Sequence, residues 1–394
     1  LFPANAIQDS FGTSDSVGIS SYYFETAAGA AAVGHELWTL GRNYAGTNGI
    51  NDNVQRSSPI QIPGTQWRSV SASYCVLALK TDPTLWAWGP GDSGQLGQND
   101  RVPRSSPIQI PGTGWSHVRA TPNSACAGTK TDGTLWTWGS NSVGELGLND
   151  VVPRSSPTQI PGTQWAQTKD AIGGGNGTIF ALKTDGTMWA CGAAYDGRLA
   201  QNDTIPRSSP IQIPGTQWSK IPNFYESGLA IKTDGTLWTW GVNSYGILGN
   251  SDTVNRSSPI QVPGTQWNEP SAGYFGMMVT KTDGTLWAWG YNNNGSLGLN
   301  DRSNRNSPTQ VPGTQWTNPQ SFGWYHAACM KTDGTLWNWG RNDYGENGIN
   351  DKIVRSSPVQ LPGTQWGAAD VGGADYEWKD FSMGGSTSQM LKRI

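Results

Sequence analysis

The residues best suited to acid–base chemistry or metal binding in this chain are its three histidines, His35, His117 and His326. Their positions give no reason to expect the convergent partners that a metal site or a catalytic triad requires. We therefore predict no catalytic residue, no metal ion and no cofactor, and we interpret the chain as a non-enzymatic protein.

Cysteine chemistry is equally sparse. Cys75, Cys126, Cys191 and Cys329 are widely separated and form no C-x-x-C pair. This spacing favours free, small core residues over a disulfide or metal framework. It leaves the redox compartment open.

An aspartate precedes an arginine by four residues seven times along the chain. The pairs are Asp52–Arg56, Asp100–Arg104, Asp150–Arg154, Asp203–Arg207, Asp252–Arg256, Asp301–Arg305 and Asp351–Arg355. A calcium loop needs several oxygen ligands at close alternating spacing, which this pattern does not supply. We interpret each pair as a structural clasp between a carboxylate and a guanidinium that holds a loop against an edge strand; Asp150–Arg154 and Asp203–Arg207 are representative.

These pairs belong to a repeat of about fifty residues. Each copy contains a segment like K-T-D-G-T-L-W-x-W-G and ends in a segment like R-S-S-P-x-Q-x-P-G-T-Q-W. The first tryptophans of the copies are Trp38, Trp86, Trp136, Trp189, Trp238, Trp287 and Trp337. Units that bury their faces on each other form one body, so the chain is predicted to be a repeat protein.

One copy contains only short strand signals. The apolar run 75–80 and the segment 85–88 flank a turn that is Asp-Gly in most copies, which is typical of a hairpin. The segment 107–111 has a proline at each end and is predicted to be an edge strand. No segment has helical periodicity, so each copy is predicted to be a propeller blade of three or four antiparallel strands.

The motif W-x-W-G-x-N-x-x-G-x-L-G, found at residues 136–147, closely resembles the repeat of the regulator of chromosome condensation family. The resemblance covers roughly residues 20–394. It implies an all-β, seven-bladed β-propeller over residues 21–394, preceded by an N-terminal extension, residues 1–20. The orphan segment 366–394 looks like the front half of a repeat, so we expect it to close the ring by pairing with the sheet that contains Trp38.

The family includes an exchange factor for a small GTPase, a secreted bacterial β-lactamase inhibitor and many bacterial and viral propellers. This chain has no basic tail and no room for a long inserted wedge, and the family's G-x-x-H segment is retained only at Gly323 and His326. These departures argue against exchange-factor activity. The nearly identical repeats, rich in Trp, Thr, Asn and Gly, look more like viral or bacterial surface proteins.

Composition excludes several partners. The 394 residues carry a formal net charge of −3, and the basic residues are scattered. We therefore predict no binding to nucleic acid, which requires a basic surface. No apolar run approaches the roughly 20 residues of a membrane-spanning helix, so we predict no membrane insertion.

Aromatic residues supply the best candidates for binding. Of 21 tryptophans, 19 occupy the two recurring positions of the repeat, and Trp324 and Trp378 are left over. The candidate ligand-binding residues fall in the variable segment before the recurring lysine or its terminal counterpart: Tyr74, Tyr225, Tyr274, Phe275, Trp324, Tyr325, Tyr376 and Trp378. Tyr and Trp among Gly, Ser and Asn are typical of adaptable binding surfaces. The alternative is that these rings plug the central channel.

The glycine-rich segment 173–177 interrupts this aromatic series, so we expect a face that is aromatic on one side and open on the other. The leading functional hypothesis is a binding or structural propeller on a virion or cell surface. It would be extracellular or virion-exposed and would recognise a glycan or protein receptor, within a larger assembly. The alternative is a regulator or inhibitor propeller that docks a globular protein partner.

Overall fold

The computed structural model of the protein describes residues 36–41, 43–54, 56–321, 325–342, 349, 351–362, 381–384 and 387–390. These residues form β-strands and three short 3-10 turns, Tyr44–Gly46, Tyr195–Gly197 and Ser244–Gly246. The strands are β1 (Trp38–Gly41), β2 (Arg56–Gln61), β3 (Trp67–Ala72), β4 (Val76–Lys80), β5 (Leu85–Gly89), β6 (Arg104–Ile110), β7 (Trp115–Ala120), β8 (Ala125–Lys130), β9 (Leu135–Gly139), β10 (Arg154–Ile160), β11 (Ile172–Gly175), β12 (Thr178–Leu182), β13 (Met188–Gly192), β14 (Arg207–Gln212), β15 (Trp218–Lys220), β16 (Ser227–Lys232), β17 (Leu237–Gly241), β18 (Arg256–Val262), β19 (Trp267–Ala272), β20 (Gly276–Lys281), β21 (Leu286–Gly290), β22 (Arg305–Val311), β23 (Trp316–Ser321), β24 (His326–Lys331), β25 (Leu336–Gly340), β26 (Arg355–Gln360), β27 (Phe381–Gly384) and β28 (Thr387–Met390).

Consecutive strands build six four-stranded antiparallel sheets from β3 to β26, each in sequential order. Two hairpins, β1–β2 and β27–β28, flank this series; β28 lies beside β1, and β27 lies beside β3. Within the described residues, no hydrogen-bonded ladder joins the two hairpins. The all-β prediction is confirmed, and the complete blades have four strands.

The hairpin between the second and third strands follows from the T-D-G-T sequence. In β8–β9, the Asp132 carboxylate accepts hydrogen bonds from the backbone N–H of Thr134 at 3.0 Å and from its hydroxyl at 2.6 Å. Gly133 adopts a φ of +78°, which glycine tolerates without steric strain. The fourth strand, such as β6, pairs only with the third, as predicted for an edge strand flanked by prolines.

Tryptophans join neighbouring sheets. The second tryptophan of W-x-W is buried, as Trp88 is, and the Trp88 indole N–H donates to the carbonyl of Thr47 in the preceding repeat at 3.0 Å. The first tryptophan of W-x-W, such as Trp86, is half-buried and packs against the edge of the core. The Lys80 ammonium lies 4.8 Å from the ring centre of Trp67 and 4.4 Å from that of Trp86. This cation–π contact explains why a lysine recurs there.

The aspartate–arginine pairs tie each outer loop to its own edge strand. Arg154 lies 2.5 Å from one carboxylate oxygen of Asp150, and the other oxygen accepts the backbone N–H of Val152 at 2.9 Å. Equivalent ion pairs join Asp100–Arg104, Asp203–Arg207, Asp252–Arg256, Asp301–Arg305 and Asp351–Arg355. The Val152 N–H, together with the Arg154 guanidinium, holds the pKa of the Asp150 carboxyl below its ordinary value.

The residue before the clasp aspartate, an asparagine in most copies, reaches the next sheet. The backbone N–H of Asn99 donates to the carbonyl of Ser155 at 2.7 Å, and the Ser156 hydroxyl donates to the Asn99 side chain at 3.4 Å. The N-D and R-S-S-P segments therefore combine a clasp within one repeat with a latch between repeats.

Candidate functional site

Each sheet has two chemically different ends. In β3–β6, Val76 pairs with Trp88 and Gly89 pairs with Arg104, so the connections 73–75 and 90–103 emerge at the same end. We call this the loop end; within the described residues, it carries the first-to-second and third-to-fourth strand connections of the sheets. The opposite end carries the T-D-G-T turns and the P-G-T-Q segments.

The loop end carries the exposed large hydrophobic side chains of the described residues. Among the described residues, all of the large hydrophobic side chains that are exposed lie in these connections. They are Tyr44, Val54, Tyr74, Val102, Val151, Val152, Tyr195, Ile205, Tyr245, Val254 and Ile353. A contiguous or repeated apolar surface on one face is typical of an interaction site.

Six aromatic rings from three neighbouring sheets meet at the loop end. This aromatic cluster consists of Tyr225, Tyr245, Tyr274, Phe275, Tyr291 and Tyr325. The rings of Tyr225 and Tyr274 are 4.0 Å apart between centroids, and those of Tyr274 and Phe275 are 4.2 Å apart.

The remaining rings extend the cluster sideways. Phe275 stacks on Tyr325 at 5.8 Å with 20° between the planes, and Tyr291 lies 5.6 Å from both rings. Tyr245 approaches Tyr291 at 4.9 Å. The contacts are continuous from Tyr225 to Tyr325, and the rings are half-buried except for the exposed Tyr245.

Backbone geometry positions these rings. The carbonyls of Phe275 and Tyr325 accept hydrogen bonds from the N–H groups of Tyr291 and Arg341, which follow the W-x-W-G segments. The carbonyl of Glu226 accepts the equivalent bond from Val242 at 3.2 Å. Glu226 therefore occupies the place that Phe275 and Tyr325 hold in the next two sheets, and Tyr225 is equivalent to Tyr274.

The structure brings together four of the candidate residues that the sequence indicates, Tyr225, Tyr274, Phe275 and Tyr325. Tyr74 lies apart from them at the loop end, with its ring 6.4 Å from that of Tyr44. Trp324, Tyr376 and Trp378 lie outside the described residues.

Tyr245 and Tyr291 were missed by the sequence interpretation, which considered only the first-to-second strand connections. Both stand in the third-to-fourth connection. Tyr245 precedes Gly246 in N-x-x-G, and Tyr291 directly follows W-x-W-G. The sequence does contain a signal for both residues: most copies carry a small or polar residue at these positions, so a tyrosine there is unusual.

The glycine-rich segment does not leave an opening, contrary to expectation. The connection after β15 runs along β11: Phe224 N–H donates to the Gly174 carbonyl and Asn176 N–H donates to the Tyr225 carbonyl, each at 2.9 Å. A Cβ atom on Gly173 would lie 2.3 Å from the carbonyl oxygen of Pro222. Glycine is needed in this segment because a side chain would overlap the backbone of the neighbouring connection.

The same connection also fills space between sheets. Phe224 is buried, with its ring 5.3 Å from that of Phe180. The Asn223 side-chain amide donates to the carbonyl of Ala120, two sheets away, at 3.1 Å. The alternative interpretation, in which aromatic rings of the variable segment fill space inside the protein, therefore fits Phe224. The adjacent Tyr225 instead belongs to the half-buried aromatic cluster.

Charged groups border the Tyr225 end of the cluster. Arg198 lies 2.8 Å from the Glu226 carboxylate and 3.8 Å from that of Asp196. Burial, followed by the neighbouring Tyr274, raises the pKa of the Tyr225 hydroxyl. Burial likewise raises the pKa of Tyr325. Both phenols are therefore neutral near pH 7 and can donate hydrogen bonds.

Two further features bear on function. Within the described residues, no group of three or more His, Cys, Asp or Glu side chains could hold a metal ion. None of the helical turns in that part of the chain has the length and apolar character needed to span a bilayer.

The sheets and the one-sided apolar surface define a class, that of β-repeat proteins with an apolar face built from loops. Regulator of chromosome condensation (RCC1) repeat models match residues 82–126, 132–181, 234–272 and 283–330, and a second model of this repeat matches 321–346. The chain belongs to the RCC1 repeat family. No curated protein sequence matches it significantly.

Solved propellers share this fold. Prp20p from Saccharomyces cerevisiae, reported with its binding to Gsp1p and histones, has a TM-score of 0.72 at 18% identity, covering 84% of this chain and 86% of that chain. Yeast RCC1 (Prp20) bound to Kap60 has a TM-score of 0.72 at 16% identity, covering 98% and 94%. Human WBSCR16 has a TM-score of 0.69 at 20% identity, covering 86% and 88%.

These comparisons correct the expected location. We expected an extracellular or virion-surface protein because the repeats are nearly identical and rich in Trp, Thr, Asn and Gly. The structurally similar Prp20p and WBSCR16 are intracellular proteins. The expectation of a surface location is therefore wrong, since recent duplication and repeat composition carry no information about compartment.

Proposed function

We propose that this chain is a non-enzymatic docking protein that binds a globular protein partner through its loop end. The observation that carries the proposal is the confinement of the exposed large apolar side chains to that end among the described residues. The aromatic cluster lies at this end, and rings that are half-buried before binding are typical anchors of protein interfaces.

The outer part of the loop end favours a protein over a glycan. Val102, Ile205 and Val254 occupy equivalent positions two residues before the clasp arginine and are 52%, 61% and 60% exposed. The clasp contacts only the backbone N–H and carbonyl of these residues and does not need an aliphatic side chain. Ser303 makes the same backbone contacts at this position in another repeat. Aliphatic side chains offer no hydrogen bond to a sugar, whereas they suit the apolar surface of a protein.

The similar structures are consistent with this proposal. Prp20p was reported to bind Gsp1p and histones, and yeast RCC1 was solved with Kap60, so proteins are the partners reported for these propellers. For the present chain, we infer protein docking from its own loop end and leave the identity of the partner open.

We further propose that the ring has seven blades and closes through its terminal hairpins. Seven copies of the repeat and the position of β28 beside β1 support this proposal. Closure would protect strand edges that otherwise pair with other chains. A chain that ends at residue 362 should therefore melt at a lower temperature and self-associate in light scattering. Unchanged melting and a monodisperse monomer would contradict closure.

The docking proposal is tested by comparing the wild type with Tyr274→Ala in affinity capture, each immobilised at equal density. Thr265→Ala, an exposed change at the opposite end of the same sheet, is the matched control. A specific partner should be retained by the wild type and the control and lost by Tyr274→Ala. Equal retention by all three would contradict docking at this site. Saturable binding to one glycan on an array, without a protein partner, would support the glycan hypothesis instead.

A further inference from the structure

The charged end of the aromatic cluster differs from the equivalent places in neighbouring sheets. The indole N–H groups of Trp240, Trp289 and Trp339 donate to the carbonyls of Arg198, Ile247 and Ser296, so these three residues are equivalent. Arg198 faces Glu226, whereas the next repeat has Ile247 and Phe275 at the two corresponding positions. The same two positions therefore hold an apolar pair in one repeat and an ion pair in the preceding repeat, at the edge of the cluster.

Stability does not explain this ion pair. The Arg198 side chain is only 10% exposed, and its Nε is buried without a hydrogen bond among the described residues. Buried ion pairs are often no more stabilising than apolar residues of similar volume, and an unsatisfied donor adds a penalty. Arg198 also donates to the carbonyl of Asn176 at 3.4 Å, which ties it to the glycine-rich segment, so the feature left to account for is the pair of partly exposed carboxylates.

These carboxylates place an excess of negative charge beside aromatic rings. The carboxylates of Glu226 and Asp196 are 30% and 47% exposed, and both face the single guanidinium of Arg198. The guanidinium is nearly buried, so the accessible charge at this corner is that of the carboxylates. Tyr225 lies next to it, Tyr274 packs on Tyr225, and the faces of aromatic rings attract cations.

We propose that this corner, formed by Asp196, Glu226, Tyr225 and Tyr274, receives an arginine or lysine side chain of the protein partner. The cation would lie against a tyrosine ring and pair with the carboxylates. The carboxylates would then lie between two positive groups, the Arg198 guanidinium and the side chain of the partner. The same chain already holds ammonium groups against aromatic rings, as Lys232 lies 4.6 Å from the ring centre of Trp238. This proposal rests on the proposed docking function and names the chemistry of the partner.

The test uses a random-peptide library displayed on phage and selected against the full chain. Peptides that bind the wild type should be enriched in arginine or lysine beside an apolar residue. A synthetic copy of a selected peptide should bind Glu226→Gln at least about tenfold more weakly, and its affinity should fall as salt is added.

The matched control is the double variant Arg198→Ile, Glu226→Phe, which installs the residue pair of the next repeat. It should fold and still select peptides through the aromatic cluster, but without enrichment in basic residues. Equal enrichment with the wild type and the double variant, or selection of neutral or acidic peptides by the wild type, would overturn the proposal. Phe275 belongs to the aromatic cluster but not to this corner. If Phe275→Ala selects the same peptides as the wild type, the docking function itself fails, which is a separate outcome.

Discussion

The ring of Tyr225 lies against the ring of Tyr274, with 4.0 Å between centroids and 31° between planes, although the two residues belong to neighbouring sheets. The connections that carry them are equivalent in the repeat, so one repeat's aromatic residue packs on the next. This contact begins a row of rings that continues to Tyr325 and makes the loop end of three sheets one surface.

Replacing a ring in the middle of this row should weaken docking without unfolding the protein. Tyr274→Ala is expected to weaken partner binding at least about tenfold, because it removes the ring that joins Tyr225 to Phe275. Calorimetry with the captured partner measures the loss, and circular dichroism checks the fold. Binding within twofold of the wild type, roughly 0.4 kcal/mol, would contradict a central role.

Trp324→Ala remains a prediction from the sequence, since Trp324 lies outside the described residues. Nothing in the repeat requires a tryptophan at this position, which is equivalent in sequence to Tyr274. We expect an intact fold and at least about a tenfold loss of partner affinity. A variant that unfolds, rather than merely failing to bind, would assign Trp324 a structural role.

The close approach of Pro222 to Gly173 predicts a strong effect of a single methyl group. Gly173→Ala should destabilise the fold by about 1–3 kcal/mol, because the new Cβ would overlap the Pro222 carbonyl and displace the connection that carries Tyr225. Denaturant unfolding measures this change. Gly276→Ala is the control, since its Cβ would meet no atom closer than 3.4 Å. Equal stability of the two variants would show that the connection adjusts freely.

Breaking one aspartate–arginine clasp should affect stability alone. Arg154→Ala removes an ion pair with a partly exposed arginine, for which we expect a fall of roughly 1–2 °C in the melting temperature and unchanged partner binding. Differential scanning calorimetry and a binding assay together check this prediction. Lost binding at an unchanged melting temperature would instead place the clasp in the interface.

Acid should destabilise the protein through two kinds of groups. Hydrogen bonds and the arginine lower the pKa of clasp carboxyls such as Asp150 in the folded state. Their contribution is therefore present above the unfolded pKa of about 3.9 and is lost as the pH falls through the folded pKa. Burial, assisted by Arg119 and Arg68, lowers the pKa of His117 well below its ordinary value.

A histidine whose pKa is depressed by folding favours the unfolded state once the pH falls below about 6.5. The melting temperature should thus decline first below pH 6.5 and more steeply below pH 4. His117→Ser, which installs the residue found at the equivalent position as Ser69, should reduce but not abolish the first part of this decline, because burial also lowers the pKa of His326 to about 4. An identical profile in the variant would exclude His117 as its source.

The sequence by itself determined the repeat, the strands and the turns of this protein. Asp132-Gly133 forms a hairpin, and Pro107 and Pro111 confine their segment to an edge, because both effects act between residues close in the chain. The clasp of Asp150 with Arg154 is local in the same sense, since it spans four residues. Repetition then extended each local inference to the equivalent positions of most copies.

Only the tertiary structure decided which loops meet. Tyr245 and Tyr291 join the aromatic cluster, Gly173 admits the backbone of Pro222, and Arg198 pairs with Glu226, in each case across a boundary between sheets. Such contacts depend on how one sheet packs against the next, which is set by buried tryptophans such as Trp240 rather than by the loops themselves. A period in the sequence shows that positions are equivalent, whereas the packing of the sheets decides which of those positions touch.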